Sequence, residues 1–389
     1  MKNDNGNTRI TQGVKIYRNI CTRSKSPKAS CDTCVKACPV GAISFNPSLD
    51  VQNQCVGCGI CTAACPNGVF ELVDRDDESL CLEIDKILTQ TGSDNVTFVC
   101  GDKTNRNPAE ISVVCLAGLN ESVLLSAFNY GAEKVALHHF KCNECLLYSK
   151  FCNVYDLCRK MDVFMRLTGI DTGRFEVTQI HSAPSYPSGQ PHKKPQRELS
   201  RRDFFSLLKR TARSRFDDFS DDSDNEEYKK CRAVNNKRQR LLNILARFDK
   251  LVSCKIDNNR VPFADIRISD SCVGCGVCQK TCPVGALKNT THNGNFSLDF
   301  SPDICTSCRL CEELCARRAI RINNSFDLGE LLSMSDKKLI ELQGKRCELC
   351  GHPFYGTDGD VCFVCSGGPQ HMGLHPTLGK AEWKGGGSH

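Results

Sequence analysis

The pattern of apolar and polar positions changes character along the chain. Between residues 79 and 181, short apolar runs alternate with amphipathic stretches, which predicts the strands and helices of an α/β domain. The predicted strands are residues 96–99, 111–114, 135–137 and 175–180, and the predicted helices are 82–89 and 120–131. Because strand, helix and strand follow one another, we expect a parallel sheet.

A polar segment follows the α/β domain. Pro, Ser and Gly dominate residues 182–192, which predicts a linker. Residues 200–209 predict a short amphipathic helix, and an acidic patch at 217–227 separates it from a second predicted helix around 237–252. The apolar face of this second helix consists of Leu241, Leu245, Phe248 and Val252. Alternating blocks of charge are typical of a solvated surface, and a docking surface for a partner subunit is the alternative.

Cysteine is the residue type whose abundance changes this picture. The chain has 29 cysteines in 389 residues, although its 40% hydrophobic and 25% charged residues are ordinary. Most cysteines stand two or three residues apart, whereas a disulfide framework spaces them widely, so we expect thiols that bind metal. The sequence has neither a signal-peptide pattern nor an apolar run of membrane-spanning length, and we expect a cytoplasmic location.

One cysteine motif occurs near both ends of the chain. The motif Cys55-x2-Cys58-x2-Cys61-x3-Cys65-Pro66 returns as Cys272-x2-Cys275-x2-Cys278-x3-Cys282-Pro283. Their companion motifs are Cys31-x2-Cys34-x3-Cys38-Pro39, preceded by Cys21, and Cys305-x2-Cys308-x2-Cys311-x3-Cys315. Three thiolates at this spacing hold one four-iron cluster, and the fourth points to a second cluster. A zinc module is the alternative, against which the run of three cysteines and the following proline argue.

These paired motifs resemble the two-cluster bacterial ferredoxins, in which the motifs exchange their fourth ligand. For the N-terminal module the resemblance implies one [4Fe–4S] cluster on Cys21, Cys31, Cys34 and Cys65 and another on Cys38, Cys55, Cys58 and Cys61. For the C-terminal module it implies one cluster on Cys272, Cys275, Cys278 and Cys315 and another on Cys282, Cys305, Cys308 and Cys311. Short strands should flank the clusters: residues 13–17 as an edge strand, 41–45, 69–73, and 296–300 after the Asn293-Gly294 turn.

The sequence departs from the ferredoxin pattern at two positions. Cys21 stands ten residues before Cys31, and the polar, turn-forming residues between them predict an inserted loop. The alternative is a cluster that lacks this ligand. Ala316 replaces the usual proline after Cys315, which we expect to affect only the local turn.

Three apolar runs of the α/β domain each lead toward cysteine: Cys100, Cys115, and Cys142-x2-Cys145. Because the carboxyl ends of parallel strands meet at one edge, the four thiols should converge.

The pattern from Val114 to Ala132, with Cys142-x2-Cys145, resembles the delta subunit of the methyl-viologen-reducing hydrogenase. The resemblance implies a [2Fe–2S] cluster on Cys100, Cys115, Cys142 and Cys145. The alternatives are a four-iron cluster that uses Cys152 or Cys158, and buried cysteines that bind nothing. We expect His138 and His139 to cap or solvate the site.

Two further pairs of cysteines, Cys347-x2-Cys350 and Cys362-x2-Cys365, are separated by eleven residues, a spacing typical of a zinc ribbon. A tetrathiolate site without an open position is structural. A rubredoxin-like single iron is the alternative. The remaining cysteines, which we expect to be packing residues, are Cys81, Cys152, Cys158, Cys231 and Cys254.

The predicted fold class is therefore α+β multidomain. It comprises two ferredoxin-like 2[4Fe–4S] modules, a central α/β Rossmann-like domain with a parallel sheet, and a small zinc ribbon. The predicted bounds are 1–78 and 254–328 for the ferredoxin modules, 79–181 for the central domain, 182–253 for the charged linker, 329–383 for a helix and the ribbon, and 384–389 for a tag-like end.

Metal ligation reverses the charge of the chain. The formal net charge of +6 counts every cysteine as neutral. Four thiolates around a four-iron core, a two-iron core or a zinc ion leave about −2 per site, so six sites bring the chain to about −6. Because the net charge after metal ligation is negative, we expect no nucleic-acid partner.

The expected function is that of a multi-cluster electron-transfer subunit. Four [4Fe–4S] clusters, one [2Fe–2S] or fifth [4Fe–4S] cluster and one Zn²⁺ are expected, whereas no nucleotide or flavin fingerprint stands outside the cysteine motifs. The hydrogenase resemblance implies a partner such as a heterodisulfide-reductase-type flavoprotein, a hydrogenase or a formate dehydrogenase. One alternative is a redox-sensing or assembly protein whose zinc ribbon contacts a partner or nucleic acid. Another is catalysis at Cys142 and Cys145. Chain order puts the central site between the two ferredoxin modules.

Overall fold

The computed structural model describes residues 8–46, 48–101, 109–150, 153–179, 236–248, 255–257, 261–323, 325–356 and 359–366. Several predictions lie outside these residues: the linker at 182–192, the helix at 200–209, the acidic patch, Cys152, Cys231, Cys254 and the tag-like end. Among the described helices, none has the length and apolar character that crossing a membrane requires.

The N-terminal module is built from short strands and single-turn helices. Its strands are β1 (Thr8–Thr11), β2 (Val14–Tyr17), β3 (Ile43–Phe45), β4 (Leu49–Val51) and β5 (Phe70–Leu72), and its helices are α1 (Thr22–Lys25), α2 (Thr33–Ala37) and α3 (Ile60–Ala64). Strand β2 pairs antiparallel with both β1 and β5. The prediction that residues 13–17 form an edge strand is therefore wrong, because β2 is the centre of a three-stranded sheet. Its inward residues, Val14 and Ile16, are fully buried in the module's small core.

The central unit has the predicted parallel sheet. Its elements are α4 (Asp77–Gln90), β6 (Asn95–Cys100), β7 (Glu110–Val113), α5 (Glu121–Asn129), β8 (Lys134–His139), α6 (Val154–Thr168) and β9 (Phe175–Gln179). The strand order is β7-β6-β8-β9, and every neighbouring pair is parallel. Helix α6 was not predicted, although Asn153 and Asp156 form a capping box at its start and Gly169 ends it with a left-handed φ of 68°.

Helix α7 (Asn236–Leu245) packs into this core and does not lie on the surface. Leu241, Leu242, Ile244 and Leu245 are buried in the same apolar cluster as the sheet residues Phe98 and Val135. Arg240 of α7 forms an ion pair with Asp77 of α4 at 2.9 Å. Within the described residues, the charged positions of α7 thus face the chain itself, so the expectation of a solvated or partner-docking face is wrong for this helix.

The C-terminal module and the segment after it share one sheet. Its helices are α8 (Val277–Thr281), α9 (Leu310–Leu314) and α10 (Leu328–Leu332). Its strands are β10 (Lys255–Asp257), β11 (Ile266–Ile268), β12 (Leu287–His292), β13 (Asn295–Phe300), β14 (Ile320–Ile322), β15 (Ser325–Asp327), β16 (Lys337–Arg346) and β17 (Pro353–Gly356). The order β12-β13-β16-β17 is antiparallel throughout, and the first pair is the hairpin predicted at Asn293-Gly294. Residues on both sides of the predicted boundary at 328 therefore form one sheet.

Burial of α7 gives a testable prediction. Leu245 is 0% exposed, so Leu245→Ala should lower the free energy of unfolding by about 2–5 kcal/mol, through lost burial and a residual cavity. The matched control is Gln239→Ala on the same helix, where the side-chain amide donates to Asn243 and the change should stay within about 0.5 kcal/mol. Urea unfolding followed by circular dichroism measures both, and equal effects of the two variants would contradict the buried position of α7.

Candidate metal centres

The structure gathers the predicted ligand cysteines into six groups of neighbouring thiols. Two groups lie in the N-terminal module: site N1 (Cys21, Cys31, Cys34, Cys65) and site N2 (Cys38, Cys55, Cys58, Cys61). Two lie in the C-terminal module: site C1 (Cys272, Cys275, Cys278, Cys315) and site C2 (Cys282, Cys305, Cys308, Cys311). The others are site M of the central unit (Cys100, Cys115, Cys142, Cys145) and site R (Cys347, Cys350, Cys362, Cys365). Every candidate ligand from the sequence belongs to one group.

Left-handed backbone lets the chain wrap around sites N2, C1 and C2. In the repeated motif, Gly57 and Gly59 have φ of 65° and 76°, a conformation that favours glycine because a Cβ would be strained. Ser307 and Arg309 take the same positions in site C2, with φ of 57° and 61°. The turn therefore follows from the spacing of the cysteines, and at the repeated motif the glycines reduce the backbone strain of the left-handed conformation.

Backbone amides point at the last cysteine of three motifs. The N–H groups of Ala42, Ala286 and Ala319 donate to the Sγ atoms of Cys38, Cys282 and Cys315 at 3.2, 3.2 and 3.3 Å. Such donors stabilise a thiolate that ligates a metal. The bond to Cys315 persists although Ala316 replaces the usual proline, so this departure leaves the ligand position intact.

Cys21 lies in site N1 despite its distant place in the sequence. It is buried and immediately precedes α1, so the inserted segment begins with one helical turn, and residues 26–30 form the loop that leads to Cys31. Burial, followed by the charge of Cys65, Cys21 and Cys31, raises the pKa of Cys34. The structure therefore brings Cys21 to the other three thiols of site N1.

The electrostatics of these groups fit a cationic metal core. Burial, followed by the charge of neighbouring thiols, raises the pKa of Cys34 and Cys278 to about 12. Burial likewise raises the pKa of Cys58 and Cys308 to about 12, although backbone N–H groups partly oppose it. Thiols with such pKa values stay protonated at neutral pH unless a positive core replaces the proton. Convergent thiols with amide donors are therefore the donor set that an iron–sulfur cluster requires.

Site M lies at the carboxyl ends of β6, β7 and β8, as the parallel sheet predicts. The amide of Phe140 donates to Cys100 Sγ at 3.1 Å, and the amide of Leu147 approaches Cys145 Sγ at 3.4 Å. His139 is buried, and its Nδ1 lies 3.6 Å from Cys142 Sγ and 2.8 Å from the carbonyl oxygen of Phe140. This is the flanking position expected for His139, whereas His138 is half-buried.

Cys158 approaches site M from α6. Burial raises the pKa of Cys158 to about 11, and the nearby Cys142 contributes in the same direction. Cys158 does not line the cavity that the four thiols of site M share. Cys81 is outside all six groups, and its Sγ donates to Ser126 Oγ at 3.5 Å, as expected for a packing residue.

Site M adjoins site N2. Charge on Cys58 contributes to raising the pKa of Cys115, after burial itself. The hydroxyl of Thr62 lies 3.4 Å from the carbonyl oxygen of Gly118, and Gly118 packs directly on the backbone of Gly59. The central unit therefore meets the N-terminal module at the two sites themselves.

The two ferredoxin-type modules also touch each other, at sites N1 and C2. Cys308 lines the same cavity as the four thiols of site N1. The hydroxyl of Thr306 donates to Asn67 Oδ1 at 2.5 Å, and the amide of Ser30 donates to Glu313 at 2.8 Å.

Within each module the paired sites are neighbours. Helix α2 contacts α3, and α8 contacts α9, which brings the two sites of each module together. Burial is the main cause of the raised pKa of Cys61 and Cys311, and the charges of Cys34 and Cys278, respectively, add to it. The spatial order of the sites is therefore M, N2, N1, C2, C1. It differs from the chain order, which puts site M between the modules.

Site R has four Sγ atoms within 4.8 Å of one another, a group that could hold a metal ion. The amide of Cys362 donates to Cys347 Sγ at 3.2 Å, and such backbone donors lower the pKa of Cys347 to about 6. The segment packs against the loops of site C1: the Arg317 guanidinium lies 3.7 Å from the centroid of the Phe363 ring, and Tyr355 covers Gly274.

Lys237 and Arg238 are the residues at these sites that the sequence did not point to. They reach the backbone next to sites N1 and C2 from α7. The only available signal was a basic stretch at the start of a helix, which is typical of a solvated face.

Two segments match families of iron–sulfur domains. Residues 19–41 and 52–68 match the family described as 4Fe-4S binding domain, and residues 271–319 match the 4Fe-4S dicluster domain. The first match encloses every cysteine of sites N1 and N2, and the second encloses every cysteine of sites C1 and C2. The chain therefore contains two ferredoxin-type 4Fe–4S domains.

Three relatives share short stretches with the chain. It is 38% identical over 51 residues to a subunit of an ion-translocating oxidoreductase complex of Methanosarcina acetivorans, covering 13% of this chain and 18% of that protein. It is 51% identical over 43 residues to the putative oxidoreductase UacF of Escherichia coli, covering 10% and 7%. It is 34% identical over 58 residues to a ferredoxin of Methanocaldococcus jannaschii, covering 14% and 38%. The chain thus spans less than half the length of each relative.

The contact between sites M and N2 gives a steric prediction. A Cβ on Gly118 would stand 2.9 Å from the carbonyl carbon of Gly59, so Gly118→Ala should lower the free energy of unfolding by about 1–3 kcal/mol through overpacking. Gly173→Ala is the matched control, because its Cβ would meet nothing closer than Asp171 Oδ1 at 3.4 Å, and neither glycine has a positive φ. Denaturant unfolding of both variants tests this, and a Gly118→Ala variant as stable as the control would exclude the close approach.

Proposed function

We propose that the chain is an iron–sulfur electron-transfer subunit whose five cluster sites form one series, M, N2, N1, C2 and C1. The observation that carries the proposal is that each site lies beside the next one, since electron transfer along a relay requires neighbouring centres. The two ferredoxin-type domains and the short similarity to oxidoreductase proteins support it.

The proposal assigns one [4Fe–4S] cluster to each of sites N1, N2, C1 and C2, with the four cysteines of each site as ligands. Site M takes a [2Fe–2S] cluster, by the resemblance to the hydrogenase delta subunit. A fifth [4Fe–4S] cluster is the alternative there, and the position of Cys158 beside Cys142 favours testing it. Site R takes Zn²⁺ as a structural ion, because four thiolates leave no open position.

When bound, such clusters supply one-electron redox centres. The residues of the chain fix where those centres lie: the turns hold the ligands, the apolar cores exclude water, and the amides of Ala42, Ala286 and Ala319 donate to ligand sulfurs. Hydrogen bonds and burial of this kind set cluster potentials. In this proposal the chain carries out no bond-making chemistry itself.

The ends of the series are the places where a donor or acceptor would bind. Site M has an exposed apolar rim, in which Leu146 is 84% exposed. The name of the relative from M. acetivorans makes it a subunit of an oxidoreductase complex, which supports a partner for this chain as well. We propose a redox-enzyme partner of the heterodisulfide-reductase-type flavoprotein, hydrogenase or formate dehydrogenase class, in the reducing cytoplasm.

Metal analysis tests the proposal. Anaerobically purified protein should contain about 18 iron atoms per chain, from four four-iron clusters and one two-iron cluster, together with one zinc. Cys115→Ser should remove about two irons and one electron paramagnetic resonance signal, since only site M loses a ligand. Cys81→Ser is the matched control and should keep the full content, because Cys81 is buried outside every site. An iron content near eight per chain would contradict the five-site assignment.

A further inference from the structure

Lys237 of α7 forms hydrogen bonds to the N-terminal module at the end of α3. Its Nζ donates to the carbonyl oxygens of Thr62 and Ala63 at 2.9 and 2.8 Å and lies 3.5 Å from the carbonyl oxygen of Cys65. Cys65 belongs to site N1. The ammonium group is thus fixed on the backbone that carries one of the four thiols of that site.

Arg238, the next residue, holds the C-terminal module. Its guanidinium donates to the carbonyl oxygens of Asp303, Pro262 and Pro302 at 2.8, 2.7 and 3.0 Å, and it stacks on the Phe263 ring at 4.1 Å. Asp303 lies two residues before Cys305 of site C2. Arg238 is only 5% exposed, and the nearby charge of Asp303 partly compensates its own charge.

The two cations therefore stand beside the two sites that face each other across the module interface. Among the carboxylates that act on Lys237, Glu121 has the largest effect, and Glu121 also forms an ion pair with Lys160 at 2.8 Å.

We propose that Lys237 and Arg238 are positioning residues for electron transfer that raise the reduction potentials of the clusters at sites N1 and C2, respectively. The inference rests on the proposed ligation of those sites. One-electron reduction adds a negative charge to a cluster, and a buried cation stabilises the reduced form more than the oxidised form. Both cations lie on one helix, so each of the two facing sites has one positive charge beside it at the interface between the modules.

A potentiometric titration of the full chain, followed by electron paramagnetic resonance, tests this. Lys237→Met should lower the reduction potential of the site N1 cluster by about 59 mV, which is about a tenfold decrease in the equilibrium constant of one-electron reduction. Arg238→Gln should lower the reduction potential of the site C2 cluster by about the same amount. Each variant should shift one cluster and leave the others unchanged. Arg238→Lys, which keeps the charge, should restore the potential. Arg166→Gln is the control of equal charge change, since Arg166 forms an exposed ion pair with Asp162 at 3.0 Å.

Glu121→Gln provides a variant with the opposite expected sign. Removal of this anion leaves the charge of Lys237 less compensated, so the potential of the site N1 cluster should rise. This variant decides the Lys237 part of the inference if Lys237→Met fails to assemble, because an unchanged site N1 potential in Glu121→Gln would then overturn it.

The results also separate this inference from the proposed function. Full iron content with unchanged potentials in the Lys237 and Arg238 variants would overturn the tuning role and leave the ligation intact. Wild-type protein without four [4Fe–4S] signals would instead overturn the ligation on which the inference rests.

Discussion

A buried thiol cannot ionise unless a positive charge compensates it, and the two ferredoxin-type domains depend on this constraint. Their strands and helices are mostly single turns or three-residue pairs, and their apolar cores are small. Most of their thiols pack into these cores, and burial raises the pKa of Cys61 and Cys311 well above the ordinary value. A metal core that replaces the protons therefore also stabilises the folded domain, which its small apolar core stabilises only in part. Cluster binding and folding should accordingly be coupled.

The same constraint gives α7 its place in the structure. The helix buries an apolar face in the central core and reaches both ferredoxin-type domains with consecutive cations. Burying an arginine and half-burying a lysine is costly unless their donors are satisfied, and carbonyl oxygens accept from both here. One short helix thereby joins the three folded parts and fixes the interface at which sites N1 and C2 meet.

The local chemistry was readable from the sequence because ligand spacing and strand order are local or periodic signals. The cysteine motifs, the parallel sheet and the hairpin at Asn293-Gly294 follow from patterns within short windows. The exchange of the fourth cysteine between paired motifs was instead implied by the resemblance to the two-cluster ferredoxins. The spatial order of the sites was not readable, since it depends on single contacts such as Thr306 with Asn67 and Gly118 with Gly59. These contacts join residues distant in sequence and leave no periodic trace. For the same reason, the basic residues of α7 resembled a solvated face, and the central strand β2 resembled an edge strand.

The central claim is that the five cluster sites form one series with site M at one end. Anomalous diffraction at the iron absorption edge, from crystals of the anaerobically purified chain, tests it directly. The account predicts five iron centres in the order M, N2, N1, C2, C1, with the centre at Cys115 next to the one at Cys58. A central-unit iron site that lies between the two ferredoxin-type domains, or an N-terminal pair separated from the C-terminal pair, would contradict it.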